Sequence, residues 1–235
     1  MSLSPLILAL VVFELVVLVL SISLHDAAQA WMANRLGDPT GRMMGRLTLN
    51  PVPHFDFFGT ALWPLLYIWR SPLVLGWGKP VPMTTRNFRH PKQEITATLA
   101  GPAAQLGAAL VCLVALVIVK HANPAGAAST FFIANALSLR ELDFVPPGLP
   151  PIFPLLLFFY FGILVNLFLF VFNLLPLPFL DGGKILLYYL PYNTARAFER
   201  YSLWIMFGFM FFGFGIVLAI FAPVLGVFDR LLYSL

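Results

Sequence analysis

The chain has 235 residues, 60% of them hydrophobic and only 10% charged, with a mean hydropathy of +0.89. Soluble domains are nearer half apolar and a quarter charged, so 14 Lys+Arg and 10 Asp+Glu cannot cover a water-soluble globule of 26.1 kDa. The 24 Phe, 5 Trp and 7 Tyr exclude disorder, the single cysteine excludes a disulfide framework or a Cys-rich zinc module, and the net charge of +4 lies in short loops between apolar runs, so it is no argument for a nucleic-acid partner and none is expected.

What remains is an all-α polytopic membrane protein, read as one membrane domain over residues 1–235 with about four full spans and a re-entrant apolar segment. Pro5 to Leu24 is interrupted only by Glu14 and has the length needed to cross the hydrocarbon core. No basic residue precedes it and no small-residue cleavage site follows it, so a retained helix is expected, continuing to about Arg35. Residues 36–56 are polar and turn-rich. Residues 57–77 are apolar but contain Pro64, Arg70 and Pro72, and residues 79–92 form a basic loop. Further spans are expected at 94–119, at 152–175 and, last, at 202–224. Between the last two, Pro176-Leu177-Pro178-Phe179-Leu180-Asp181-Gly182-Gly183 cannot be uninterrupted helix. If residues 57–77 dip in and return, Arg35, Arg42, Arg46, Lys79, Arg86, Arg89, Lys92, Lys184, Arg196 and Arg200 all fall on one side, which the positive-inside rule makes cytoplasmic. The expected location is the inner membrane of a prokaryote, with the lipid bilayer as a constant partner.

Chemistry concentrates on the first helix. Ser21, His25 and Gln29 are spaced by four and share one face, and Glu14 lies about three turns before His25 on the same stripe. Such a stripe faces the bundle interior, because lipid cannot satisfy it. It reads either as hydrogen bonding between helices or as part of a site. His25 is expected roughly 15 Å inside the cytoplasmic end of its helix, at ~1.5 Å per residue. Asp181 follows a span that ends on the same side, in a broken segment whose free backbone groups can meet a ligand. Asn173 and Pro176, at that break, are the candidate substrate-binding residues.

Several motifs occur in one order: Leu24-His25-Asp26-Ala27-Ala28-Gln29-Ala30-Trp31, Gly37-Asp38-Pro39-Thr40, Arg46-Leu47-Thr48-Leu49-Asn50-Pro51, His54, Asp56, Gly59-Thr60, Gly76-Trp77-Gly78, Ala100-Gly101-Pro102 and Phe172-Asn173-Leu174-Leu175-Pro176-Leu177-Pro178-Phe179-Leu180-Asp181-Gly182-Gly183. Over about residues 20–190 the chain resembles the site-2 protease family of intramembrane zinc metalloproteases, in its compact form without a PDZ domain. The resemblance implies hydrolysis of transmembrane or membrane-proximal peptide bonds. It also implies a zinc ion held by two histidines four residues apart and a later aspartate, with a glutamate as base. His25 matches the first histidine and Asp181 the aspartate as metal ligands. Asp26 stands where the glutamate is expected, as the candidate catalytic base, and Gln29 where the second histidine is expected.

Both departures weaken an ordinary zinc site. Catalytic zinc takes imidazole, carboxylate or thiolate ligands, and a neutral amide oxygen suits harder cations. Asp26 is one methylene shorter than Glu, while a base must come within about 2.6–3.2 Å of its proton. His54, after Asn50-Pro51, can fold back to complete a set with His25 and Asp181, or else sit with Asp56 in turn-type hydrogen bonds. Two functions follow: a metalloprotease with a reduced or altered zinc site, or a non-catalytic pseudoprotease that binds or stabilises membrane-protein partners.

Overall fold

The computed structural model describes residues 5–67, 76–122 and 151–234, whose regular structure is all helical. Helix α1 runs from Pro5 to Arg35. Pro5 is tolerated in its first turn, and Gly37 takes a φ of +111° that ends it with a turn that a side chain would strain. Helix α2 spans Lys92–Ala122 and continues through Pro102. Helix α3 spans Phe153–Asn173 and is apolar on every side, the mark of a central helix. It packs on both α1 and α2, and Leu156, Tyr160, Ile163, Leu167 and Phe168 of α3 are buried at the heart of the core with Leu18 and Leu116. Helices α4 (Asp181–Tyr189), α5 (Tyr192–Arg200), α6 (Ser202–Phe212) and α7 (Phe214–Ser234) follow.

Four of these helices are long and apolar enough to cross a membrane: Val11–Arg35 within α1, α2, α3 and Gly215–Ser234 within α7. The protein is an integral, multi-pass membrane protein. The sequence places the last span at 202–224, whereas the structure breaks the helix at Gly213 and puts the long apolar helix ten residues further on. Hydropathy is continuous across the break, so it could not locate it, and the charged pair Asp229-Arg230 lies within the long helix beyond it. Both ends of that polar region are served by neighbours. Tyr160 donates its hydroxyl to Asp229 Oδ1 at 3.4 Å, and Lys120 Nζ donates to the carbonyls of Leu232 and Tyr233 at 3.0 and 3.3 Å.

The segment expected to re-enter begins as a π-helical turn, Phe57–Leu62, with Asp56 capping Gly59 N–H at 2.7 Å, and continues as Trp63–Tyr67. Residues 68–75 lie outside the described residues. On the far side, Trp77 N–H donates to Gly59 O at 3.1 Å, and the Trp63 and Trp77 rings pack with centroids 6.0 Å apart. The two ends of the segment therefore meet, where a full crossing would separate them by about 30 Å.

The polar end of the bundle is clamped by Asp38, which is fully buried. Its carboxylate accepts from Thr40 N–H and Oγ1 at 3.1 and 2.5 Å, Thr84 N–H at 2.8 Å and Asn87 Nδ2 at 2.7 Å, tying the end of α1 to the loop before α2. Burial alone would raise its pKa. The hydrogen bonds from Thr40, Asn87 and Thr84 outweigh that and hold the group below the ordinary carboxylate range.

Candidate functional site

Three backbone irregularities bring α1, α2 and α4 together at one polar centre. The first is Gly101, whose missing side chain makes room for the His25 ring: a Cβ there would overlap the imidazole. The second is Pro102. Having no N–H, it leaves the carbonyl four residues earlier, Thr98 O, without its helical partner. Gln29 Nε2 donates to that carbonyl at 2.9 Å. The third is the break after α3, where Phe179 takes a φ of +71° and Asp181 then starts α4. Gly182 and Gly183 lie against the carbonyls of Leu174, Leu175 and Leu177, an approach no Cβ would permit.

Asp181 is the hub. Its Oδ2 lies 2.7 Å from His25 Nε2 and accepts from Gln29 Nε2 at 2.8 Å, while its Oδ1 accepts from Lys184 Nζ at 3.1 Å. The second carboxylate, Asp26, faces the other side of the imidazole, its Oδ1 lying 3.0 Å from His25 Nδ1. Asp26 Oδ2 accepts from Arg46 Nη2 at 3.0 Å and lies 3.2 Å from His54 Nδ1. Arg46 also donates to the carbonyls of Pro53 and Lys79, and His54 Nε2 lies 2.8 Å from Thr48 O. His25, Asp26, Gln29, Arg46, His54 and Asp181 are all buried.

The residues singled out in the sequence are thus gathered, with different partners. His25, Gln29 and Asp181 meet directly. His54 touches Asp26 and is not among the partners of Asp181. Asp56 caps the 57–62 turn and also lines a cavity of about 360 Å³ in front of the centre. Asn173 lines that cavity too, with His25, Asp26, Gln29 and Asp181, whereas Pro176 is exposed in the turn beyond it. Two participants were missed. Arg46 entered the sequence reading as a topology charge and as part of a matched motif, with no role at the centre. Gln105 did not enter it, although a lone amide on an apolar helix is itself a signal of a buried polar contact.

Comparison with known proteins is consistent with this arrangement. The model of Peptidase family M50 matches residues 13–215. The chain belongs to peptidase family M50. A curated relative of this M50 protein, named "Putative zinc metalloprotease YwhC", from Bacillus subtilis (strain 168), is 34% identical over 182 residues, which cover 76% of this chain and 69% of the relative. No solved structure matches.

Family M50 implies zinc, and the donor set here does not fit it. The Gln29 amide is oriented by two acceptors, Thr98 O and Asp181 Oδ2, so it turns N–H groups and not a lone pair toward the centre. Flipping it would set its oxygen against a carbonyl and a carboxylate. Each nitrogen of His25 faces a carboxylate oxygen, and each nitrogen of His54 faces an oxygen acceptor. Among the described residues no group of three or more His, Cys, Asp and Glu is placed to hold a metal ion.

Proposed function

We propose that this M50 protein binds transmembrane or membrane-proximal peptide segments in its polar cavity without zinc-dependent hydrolysis, as a pseudoprotease. The observation that carries this reading is the Gln29 amide, which fills the place of a second histidine and spends both its N–H groups on Thr98 O and Asp181. Asp26 supports it. A general base needs a free oxygen within reach of a water, and both oxygens of Asp26 are engaged by His25, Arg46 and His54. The cavity wall joins charged and amide groups to apolar ones such as Ile22, Trp77 and Leu169, a lining suited to a peptide backbone with apolar side chains.

Metal analysis of the purified protein beside His25→Ala, paired with binding and cleavage of a labelled transmembrane peptide, tests the reading. The expected result is peptide binding, no stoichiometric zinc in either protein, and no cleavage when zinc is added. One zinc per chain, lost in His25→Ala and accompanied by cleavage, would overturn it. That result would establish the second reading, a metalloprotease using His25, Asp181 and a third donor, with Asp26 as base. This alternative is favoured by the way His25 and Asp181 line one cavity together.

The bias of Lys and Arg further supports a cytoplasmic position for the polar end in a prokaryotic cell membrane. Single cysteines at Thr85 and Ser129 should then label from opposite sides, Thr85 from the cytoplasm. Labelling of both from one side would refute this orientation.

A further inference from the structure

Helix α5 (Tyr192–Arg200) lies between α4 and the apolar α6, packs on α6 and buries none of its residues. Its sequence puts Asn193, Arg196 and Arg200 three and then four residues apart, on one stripe, with Ala195 and Phe198 on the opposite side. Exposure follows that pattern: the stripe is exposed, whereas Ala195 and Phe198 are half-buried. Among the described residues neither arginine has a carboxylate partner. Exposed aromatic residues bracket the helix, with Tyr189 before it, Tyr192 at its start, and Tyr201 and Trp204 after it. Tyr and Trp gather where hydrocarbon meets the headgroup layer, and Leu203 and Phe207 of α6 then expose an apolar surface of the kind lipid covers. An amphipathic helix in that setting lies in the plane of the interface, with its charged face at headgroup depth.

We propose that Arg196 and Arg200 of α5 clamp the phosphate of an anionic phospholipid headgroup, with the Asn193 amide as a further donor. Residues four apart on a helix stand about 5–6 Å from each other at Cβ, so both guanidinium groups reach one phosphate. Each offers a planar fork that pairs two phosphate oxygens at once. Two arginines against one glutamate leave α5 positive, so a headgroup whose own ammonium cancels its phosphate is the poorer complement. The ligand is a lipid and not a free anion, because the bilayer holds its phosphate at the depth that the flanking aromatic residues set. The consequence reaches the polar centre without belonging to it. Only Leu190 and Pro191 separate α5 from α4, whose first residue is Asp181, so a headgroup bound to α5 steadies the far end of the helix that carries this carboxylate. The site is independent of whether the cavity binds peptides or cleaves them.

The test offers the full-length protein in detergent an equimolar mixture of phosphatidylglycerol and phosphatidylcholine with identical chains, and counts the retained lipids by native mass spectrometry. The wild type is expected to prefer phosphatidylglycerol. Arg196→Gln with Arg200→Gln should lower that preference about twentyfold, at roughly fivefold for each basic residue near a headgroup surface, with the unfolding midpoint unchanged because both side chains are exposed. Arg86→Gln with Arg89→Gln removes the same charge from exposed positions before α2 and should change the preference little. Arg196→Lys with Arg200→Lys keeps the charge, loses the forks and should give an intermediate value; a preference equal to the wild type's would overturn the clamp. Equal losses in the two Gln pairs would show that the lipid reads net charge alone, and no preference in the wild type would show that there is no site; either result overturns the proposal. Excess inorganic phosphate should leave the bound lipid in place, and full displacement by it would overturn the assignment to lipid in favour of a free anion.

Discussion

Restoring Gln29→His together with Asp26→Glu is expected to give a protein that binds one zinc ion, where the proposed reading expects none in the wild type. The scaffold for such a site is present. Positions 25 and 29 are four apart on α1 and face one way, Gly101 leaves room for the imidazole at 25, and Asp181 lies 2.7 Å from it. A histidine at 29 replaces two N–H donors by a ring nitrogen, so that two imidazoles and a carboxylate converge, the number of protein ligands a catalytic zinc takes. The gain in affinity should exceed the roughly 10–100-fold that a supporting residue behind a ligand is worth. The Thr98 carbonyl loses its donor in the exchange, and the extra methylene of Glu must be packed, so a loss of about 1–3 kcal/mol in stability accompanies the gain. Metal analysis after dialysis against substoichiometric chelator measures the first effect and thermal unfolding the second. A folded double variant without zinc would show that this centre is not a zinc site altered at two positions. Zinc in the wild type at the same stoichiometry would show that the Gln29 amide does not keep the metal out.

The stripe Glu14, Ser21, His25 and Gln29 was legible because it follows from helical period alone, and all four are buried, Gln29 at 1% exposure. The approach of His25 to Asp181 was expected from their positions at the ends of two spans, and matched motifs sharpened it. What sequence could not supply was the partner of each polar atom. Nothing in the spacing of Pro102 says that Gln29 takes the carbonyl it frees, since that depends on the register of α1 against α2. Nor does the position of Arg46, twenty residues from Asp26 in a loop, announce an ion pair. A charge in a short loop is read as a topology signal because loops are solvated by default, and only the fold shows this one 4% exposed. The last span slipped for a related reason: hydropathy sums over residues and is blind to Tyr160 and Lys120, which make a polar stretch of α7 tolerable.

Removing Arg46 should be the most damaging single change at the centre. Its guanidinium is buried and joins three separate pieces of chain: Asp26 on α1, the carbonyl of Pro53 before the 57–62 turn, and the carbonyl of Lys79 before α2. Burial lowers its pKa and the charge of Asp26 opposes that shift. Arg46→Met keeps the chain length and removes the charge, leaving Asp26 a buried carboxylate with only imidazole partners and two carbonyls without donors. Breaking a buried pair from one side costs about 3–5 kcal/mol, enough to lower the unfolding midpoint substantially in detergent. Arg46→Lys should recover little of it, since one ammonium cannot reproduce a planar fork that reaches a carboxylate and two carbonyls at once. The double variant Arg46→Met with Asp26→Asn should be more stable than Arg46→Met alone, because the unpaired charge is gone, and the cycle then gives the coupling between the two residues. If Arg46→Met unfolds within about 0.5 kcal/mol of wild type, as substitutions away from such features do, the pair does not hold the loops to α1. If Arg46→Lys is as stable as wild type, the charge matters and the fork does not. The expected order, wild type above the double variant above Arg46→Met, ties the short side chain of Asp26 to a structural role: it orients His25 on one side and anchors the loops through Arg46 on the other.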